Sequence, residues 1–310
     1  MPALKLVLPD LVSNSYFPAL AAVELGFFRE EGLDVEHHMI FPVPACYAAL
    51  RDGKADLVAG SAHAPLAAFP RFEGVRLLCS LSHGMYWFLI VRADMKIERG
   101  DIAGLRGKRL AAAPNVDIGL KALLREAGYE AEKSGITVGP VPGGVKPGES
   151  FGVVAARALA AGTIDGFWAN GMGAELAVVS GVGKVLLDVR RGDGPPAAFG
   201  FTQPTLACTA KLATEQPEVA AGAVRALAKT HRALKADPGL ATKVGEKLFP
   251  AKEAGLIRRL VERDLPYYKT TIPRDFIASM NRFAVASGVL DAAVPYEKIV
   301  APGVEKFWEG

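Results

Sequence analysis

The sequence predicts an α/β protein whose chain is divided between two lobes. Strand-like and helix-like segments alternate over most of the first 190 residues, the composition shifts near Arg92 and again near Gly192, and the pattern is almost wholly helical from Lys211 onward. With 310 residues, half of them apolar and 22% charged, the chain suits two lobes or one large α/β domain rather than a disordered segment. We expect lobe one to contain residues 1–93 and 195–310, and lobe two to contain residues 94–194.

The rest of the chain is organised around residues 16–69. An apolar helix pattern begins at Phe17 and is stopped by Gly26, and the segment LDVEHHMIF then alternates like a strand. Pro44 suits the first turn of a second helix, which ends at Gly53, because its missing N–H would have no partner there. A short buried strand, ADLVAG, then leads to Ser61.

The second lobe has its own run of strands and helices. A strand ends near Ala112, Asn115 is placed to cap the helix that follows, and another strand ends in Trp168 before a glycine-rich helix entry. Such alternation predicts a parallel sheet. Just before this lobe, the segment YWFLIVRA predicts a strand with Trp87 inside it. Prolines divide the helical tail into helices of ordinary length, and we expect this tail to pack on lobe one.

Charge and hydropathy exclude several classes of protein. The net charge is only +3, and no run of basic residues suggests nucleic acid or an anionic membrane surface as a partner. No apolar run reaches the roughly 20 residues that a membrane helix needs, so we expect no direct membrane insertion. Cys46, Cys79 and Cys208 have no metal-like spacing; they are expected to be buried small hydrophobes, and they weakly favour a reducing compartment.

Four motifs together carry a family resemblance. They are ELGFFREEGLDVE (24–36), ALRDGKADLVAGS (49–61), IAGLRGKRLAAAP (102–114) and ALAAGTIDGFWAN (158–170). In this order and spacing they resemble the substrate-binding proteins of ABC importers, in the branch that binds alkanesulfonates, nitrate, taurine and pyrimidine precursors. The resemblance implies the two-lobed fold of periplasmic binding proteins, with two crossover strands, a helical C-terminal tail and a small-molecule ligand in the interlobe cleft.

The resemblance also implies partners and a location. An ABC transporter permease is the expected partner, the periplasm is the expected location, and we expect a monomer. The strand-like segment ALKLVLPD follows Met1 directly, so no secretory leader is visible in this sequence. A leader removed beforehand would reconcile the two observations, and a cytoplasmic location is the alternative.

The ligand site is expected at the carboxyl ends of the strands. There the N-termini of helices offer backbone N–H groups to oxygen atoms. The candidate ligand-binding residues are Ser15, Tyr16, Phe41, Pro44, Ser61, Ala62, His63, Asn115, Asp117, Trp168, Asn170, Met172 and Phe199. No Arg or Lys stands at an obvious turn of this edge, which favours a ligand with apolar or aromatic bulk whose acidic end meets backbone N–H groups.

Each candidate also has a purely structural interpretation. Ser61, Asn115 and Asp117 could simply cap helices, and Trp168 could fill the hinge. A single His at a helix start, such as His63, is more often solvated or bonded to the backbone. The aromatic candidates are, taken singly, more often core residues than pocket residues.

An enzyme on the same fold is the rival interpretation. One relative makes the thiamine pyrimidine from pyridoxal phosphate and consumes an active-site His, but its Cys-rich iron-binding motif is missing here, as is a Lys four residues before His63. Motifs of menaquinone-pathway enzymes on this fold, nucleophile elbows, zinc spacings and P-loops are missing as well. We therefore predict no catalytic residues, no metal and no cofactor.

Overall fold

A computed structural model describes residues 3–308. The chain forms two compact units, unit 1 with the residues up to His83 and those from Thr202 onward, and unit 2 with Gly84–Phe201. The sequence-based limits fall after residues 93 and 194. In the structure β5 (Phe88–Arg92) pairs with two strands of unit 2, so this strand lies in the second unit.

Unit 1 is built on a five-stranded mixed sheet. Its strands are β1 (Leu4–Leu8), β2 (Val35–Met39), β3 (Leu57–Ser61), β4 (Val75–Ser80) and β10 (Pro204–Thr209), in the order β2-β1-β3-β10-β4. β1 pairs in parallel with both β2 and β3, whereas β10 is antiparallel to β3 and β4. Four strands therefore end at the edge where β10 begins.

Helices of both chain segments cover this sheet. They are α1 (Phe17–Glu24), α2 (Phe27–Glu30), α3 (Val43–Arg51), α7 (Ala210–Glu215), α8 (Pro217–Ala236), α9 (Leu240–Leu248), α10 (Ala251–Asp264), α11 (Arg274–Ala286) and α12 (Tyr296–Ile299). Gly26 separates α1 from α2 with a φ of +86°, which favours glycine, and Pro44 lies in the first turn of α3, as the sequence predicts. The long α8 packs against α1 and α2, so the helical tail belongs to unit 1.

Unit 2 has a second five-stranded sheet. Besides β5 it contains β6 (Arg109–Ala112), β7 (Thr137–Gly139), β8 (Gly166–Ala169) and β9 (Gly183–Asp188), in the order β7-β6-β8-β5-β9. β6 pairs in parallel with β7 and β8, as predicted for this lobe. β5, which precedes the predicted lobe in the chain, is antiparallel to its two neighbours β8 and β9. Trp87 precedes β5, so the prediction that it lies inside the strand is wrong.

The helices of unit 2 are α4 (Asp117–Glu126), α5 (Phe151–Ala160) and α6 (Gly171–Val179). α5 and α6 approach each other at Gly152 and Gly173, where a Cβ atom on Gly173 would lie 2.6 Å from the Cα atom of Gly152. Only glycine at this position allows the two backbones to pack so closely.

Within the described residues 3–308, no helix combines the length and the apolar character that crossing a membrane requires.

Candidate functional site

Polar side chains collect where the strands of the unit 1 sheet end. We call this place the unit 1 edge; it contains residues 9–16, 40–44, 61–63, 81–83 and 202–204, which follow β1, β2, β3 and β4 or lead into β10. The carboxyl edge of a largely parallel sheet is where open α/β folds bind ligands. The sequence-predicted residues Ser15, Tyr16, Phe41, Pro44, Ser61, Ala62 and His63 all lie at this edge.

The loop after β1 is buried and firmly held. The Asn14 amide donates to Asp264 Oδ2, and the Tyr268 hydroxyl donates to the Asn14 carbonyl at 2.5 Å. Tyr16 is 5% exposed and takes the N-cap position of α1, where its carbonyl accepts a hydrogen bond from Ala19 N at 3.0 Å. These hydrogen bonds hold the loop in place, and with it the side chains of Ser13 and Ser15.

The acceptor Asn14 Oδ1 of the unit 1 edge has no hydrogen-bond partner in the described part of the chain, and the same holds for three buried groups that can donate a hydrogen bond. They are Ser13 Oγ and Ser15 Oγ, whose residues are fully buried, and Gln203 Nε2, whose residue is 2% exposed. A buried polar atom that lacks a partner costs about 1–3 kcal/mol. An occupant that supplied acceptor and donor atoms would recover this free energy.

His63 is part of the same edge but differs from its predicted setting. It is 1% exposed, its Nδ1 lies 3.0 Å from Thr202 Oγ1, and its ring meets the Phe283 ring edge-on. The solvated alternative for His63 is therefore wrong. It precedes a single 3₁₀ turn, Ala64–Ala67, rather than an α-helix, so no extended helix N-terminus forms there.

Ser61 and Ala62 also have defined structural roles. Ser61 is the last residue of β3, its carbonyl accepts a hydrogen bond from the Tyr47 hydroxyl at 3.3 Å, and His63 takes the N-cap position of the 3₁₀ turn that follows. The backbone N–H of Ala62 donates to the Gln203 carbonyl at 2.9 Å and is committed to the protein. This N–H is therefore not available to a ligand.

The loop between β2 and α3 supplies less polarity. Phe41 is partly exposed and precedes Pro42 through a cis peptide bond, and α3 begins at Val43. Pro44 has no N–H to offer, so it contributes shape rather than a hydrogen bond. This side of the unit 1 edge therefore suits the apolar part of a ligand.

The corresponding edge of unit 2 is aromatic. We call it the unit 2 edge; it contains residues 84–87, 113–117, 169–172 and 189–191 together with the end of β8. Trp168 is fully buried, and its Nε1 has no hydrogen-bond partner in the described part of the chain. Its ring lies 6.1 Å from the Trp87 ring, which in turn lies 4.6 Å from the Tyr86 ring.

Asn170 caps α6 as its sequence position suggests. Its Oδ1 accepts hydrogen bonds from Met172 N at 3.1 Å and Gly173 N at 3.2 Å, and Met172 is fully buried. Phe199 is 39% exposed and lies against Gly84, where a Cβ atom would meet its ring at 2.3 Å.

Asn115 and Asp117 do not cap α4. Val116 takes the N-cap position without a side-chain hydrogen bond, and Asn115 lies before it with a φ of +72°. Asp117 instead forms an ion pair with Lys121 at 2.6 Å, one turn further along the helix. The capping interpretation of both residues is wrong because the chain turns sharply at Asn115 and α4 begins two residues later.

The sequence interpretation missed Arg190. Only 5% of this residue is exposed, and it follows β9 at the unit 2 edge, where its Nη2 donates to the Gly84 carbonyl at 3.3 Å. Its guanidinium lies over the Tyr86 ring at 5.9 Å. The sequence-based expectation that no Arg or Lys stands at a turn of this edge is therefore wrong for Arg190. Its position directly after the last strand of a lobe predicted to be parallel was the signal that could have placed it there.

The described residues offer little for metal or thiol chemistry. Between residues 3 and 308, no group of three or more His, Cys, Asp or Glu side chains is arranged to hold a metal ion. Burial raises the pKa of the Cys46 and Cys208 thiols to about 12, and it raises the pKa of the Cys79 thiol as well. Such thiols are poor nucleophiles near neutral pH.

Solved structures with the same fold come from binding proteins and from an enzyme. A protein of Bordetella bronchiseptica RB50 has a TM-score of 0.78 and 18% identity, with 99% of this chain and 96% of that chain covered. The alkanesulfonate-binding protein SsuA from Xanthomonas axonopodis pv. citri, bound to MOPS, has a TM-score of 0.69 and 15% identity, with 98% of each chain covered. The desulfurization enzyme DSZB has a TM-score of 0.64 and 15% identity, again with 98% of each chain covered.

These similarities confirm the predicted two-lobed fold of periplasmic binding proteins. A comparison with curated proteins gave no match. A family model described as NMT1/THI5 like matches residues 13–241, which is most of the chain. The chain therefore belongs to the NMT1/THI5-like family.

Proposed function

We propose that this protein is the substrate-binding component of an ABC importer and that it binds a small, acidic organic molecule with an apolar part. The full-length similarity to an alkanesulfonate-binding protein supports the class of function. A permease partner and a periplasmic location belong to the same proposal. The unit 1 edge supplies the observation that carries it.

That observation is the set of buried, unpartnered groups at the unit 1 edge. Ser13 Oγ, Ser15 Oγ and Gln203 Nε2 lie on segments that follow β1 or lead into β10, at the edge where a ligand is expected. Each can donate a hydrogen bond to an oxygen atom. A carboxylate or sulfonate offers several acceptor oxygens and would satisfy more than one of these groups.

Unit 2 supplies groups of matching chemistry. The unpartnered Trp168 Nε1 is a donor only, and the ring itself is a flat apolar surface beside Trp87. Arg190 adds a buried positive charge at the same edge. Donor groups, aromatic surface and positive charge together favour an acidic ligand that carries apolar bulk.

Calorimetry with a panel of anions tests the proposal. Suitable probes are butane-1-sulfonate, taurine, benzoate and nitrate, titrated into the wild type, Ser13→Ala/Ser15→Ala and Gln203→Leu. Ser279→Ala is the control, because Ser279 lies on α11 and its hydroxyl makes no hydrogen bond in the described structure.

We expect at least one organic probe to bind the wild type and the Ser279→Ala control equally. Losing a hydrogen bond to a charged partner should weaken binding by about ten- to a hundredfold in the edge variants. Failure of every probe to bind, or equal binding by the edge variants, would contradict the proposed ligand chemistry.

An enzyme is the second candidate, because the desulfurization enzyme DSZB shares the fold. The buried cysteines, with their raised pKa values, do not favour a thiolate nucleophile in this chain. The two candidates differ in the fate of a bound probe. Mass analysis after prolonged incubation should recover the probe unchanged from a binding protein, whereas an enzyme would convert it.

A further inference from the structure

Unit 1 contains a second candidate binding site, which we call the basic recess. It is a cavity of about 330 Å³ between the last turns of α8 and the segment that follows α10. The residues that define it are His231, Arg232, Lys235, Tyr268, Lys269 and Trp308. None of the residues proposed above for the importer ligand lines it.

The cations of the basic recess have no counter-charge among the described residues 3–308. Arg232, Lys235 and Lys269 are exposed, their side chains form no ion pair or hydrogen bond with residues 3–308, and no carboxylate lines the cavity. Lys229, on the same helix, shows the contrast, because it pairs with Glu30 at 3.1 Å and with Glu31 at 2.9 Å. Three cations grouped in this way create a local positive potential that attracts anions.

A buried polar side chain also lines the basic recess. His231 is 4% exposed and stacks on Tyr268 with 5.4 Å between ring centroids, and neither ring nitrogen makes a hydrogen bond of ordinary geometry. Burial and, next, the positive charge of Lys235 lower the pKa of His231 to about 3, and the Leu81 backbone opposes this shift. The imidazole is therefore neutral near pH 7, with one N–H donor and one acceptor nitrogen at the wall of the recess.

The walls of the cavity are held in place by the rest of unit 1. The Thr270 carbonyl accepts a hydrogen bond from Ser80 N at 2.8 Å, and Trp308 Nε1 donates to the Leu78 carbonyl at 2.8 Å. Both bonds tie the walls of the recess to β4. A site of this kind can bind without reorganising its backbone, which lowers the cost of association.

We propose that the basic recess binds a small polyanion that carries phosphate or carboxylate groups. Three neighbouring cations match a ligand with two or more negative charges better than a singly charged one. The volume lies at the lower end of the range for small-molecule sites, which suits a compact anion and leaves no room for a protein segment.

Calorimetry with pyrophosphate, citrate and inorganic phosphate at constant ionic strength tests this inference. The test variant is Lys235→Gln/Lys269→Gln, which removes two unpaired charges from the recess. The control is Lys54→Gln/Lys243→Gln, because both of these lysines are exposed and make no ion pair with residues 3–308. The two control substitutions change the net charge by the same amount as the two test substitutions. Neither pair touches the groups proposed for the importer ligand.

We expect pyrophosphate or citrate to bind the wild type and the control variant with the same affinity. Binding to Lys235→Gln/Lys269→Gln should be weaker by about tenfold or more. Tighter binding of pyrophosphate would identify phosphate as the recognised group, and tighter binding of citrate would identify carboxylate. The inference is overturned if no probe binds the wild type, or if the test and control variants lose affinity equally.

Discussion

Replacing Gly173 by Ala tests the packing that positions the unit 2 edge. The added Cβ would lie 2.6 Å from the Cα atom of Gly152 and 2.7 Å from its carbonyl carbon and oxygen. Because these are backbone atoms, no side-chain rotation can relieve the overlap, and α5 and α6 must move apart. Overpacking of this kind costs about 1–3 kcal/mol, partly offset by about 1 kcal/mol of improved helix propensity.

Gly255→Ala is a matched control, because Gly255 is exposed in the interior of α10 and a Cβ there would meet nothing within 4 Å. We expect this control to gain about 0.5–1 kcal/mol in free energy of unfolding, and Gly173→Ala to lose stability. Urea unfolding followed by circular dichroism measures both. Equal stabilisation of the two variants would refute the close approach of α5 and α6.

Two further predictions concern titrating groups. Hydrogen bonds from Arg109 hold the pKa of Asp165 below its usual value of 3.8, so this pair stabilises the fold above that pH, and the stabilisation is lost as the pH falls through the lower folded value. Asp165→Asn should therefore lose less free energy of unfolding than the wild type between about pH 4 and pH 2 in urea titrations; an unchanged acid profile would contradict this. Burial raises the pKa of Cys46 and Cys208 to about 12, so a thiol-reactive dye at about pH 8 should label them only after unfolding, and rapid labelling of native protein would disprove their burial.

The sequence predicted the elements of this fold well because their boundaries carry local signals. Gly26 and Gly53 end helices with φ values of +86° and +68°, a conformation that favours glycine, and Pro44 takes the first turn of α3. Strand direction has no such local signal. β5 and β10 both run antiparallel to their neighbours, and their apolar patterns are the same as those of parallel strands.

The candidate site was less predictable, since it depends on contacts between distant parts of the chain. His63 meets Thr202 across 139 positions of sequence, and Asn14 meets Asp264 across 250. No Arg or Lys was expected at a turn of the ligand edge, yet the direction of β9 brings Arg190 to the unit 2 edge. The predicted ligand contacts of the thirteen candidate residues stay a prediction, and the unpartnered groups Ser13 and Gln203 now join them.

Native mass spectrometry of gently purified protein tests the central claim most directly. The measurement compares the wild type with Ser13→Ala/Ser15→Ala, each as purified and after addition of the organic probe that binds best. The proposed function predicts one small organic anion bound per chain in the wild type, released unchanged on unfolding and depleted in the variant. Bare wild-type protein under all of these conditions, or release of the added probe in a chemically altered form, would contradict it.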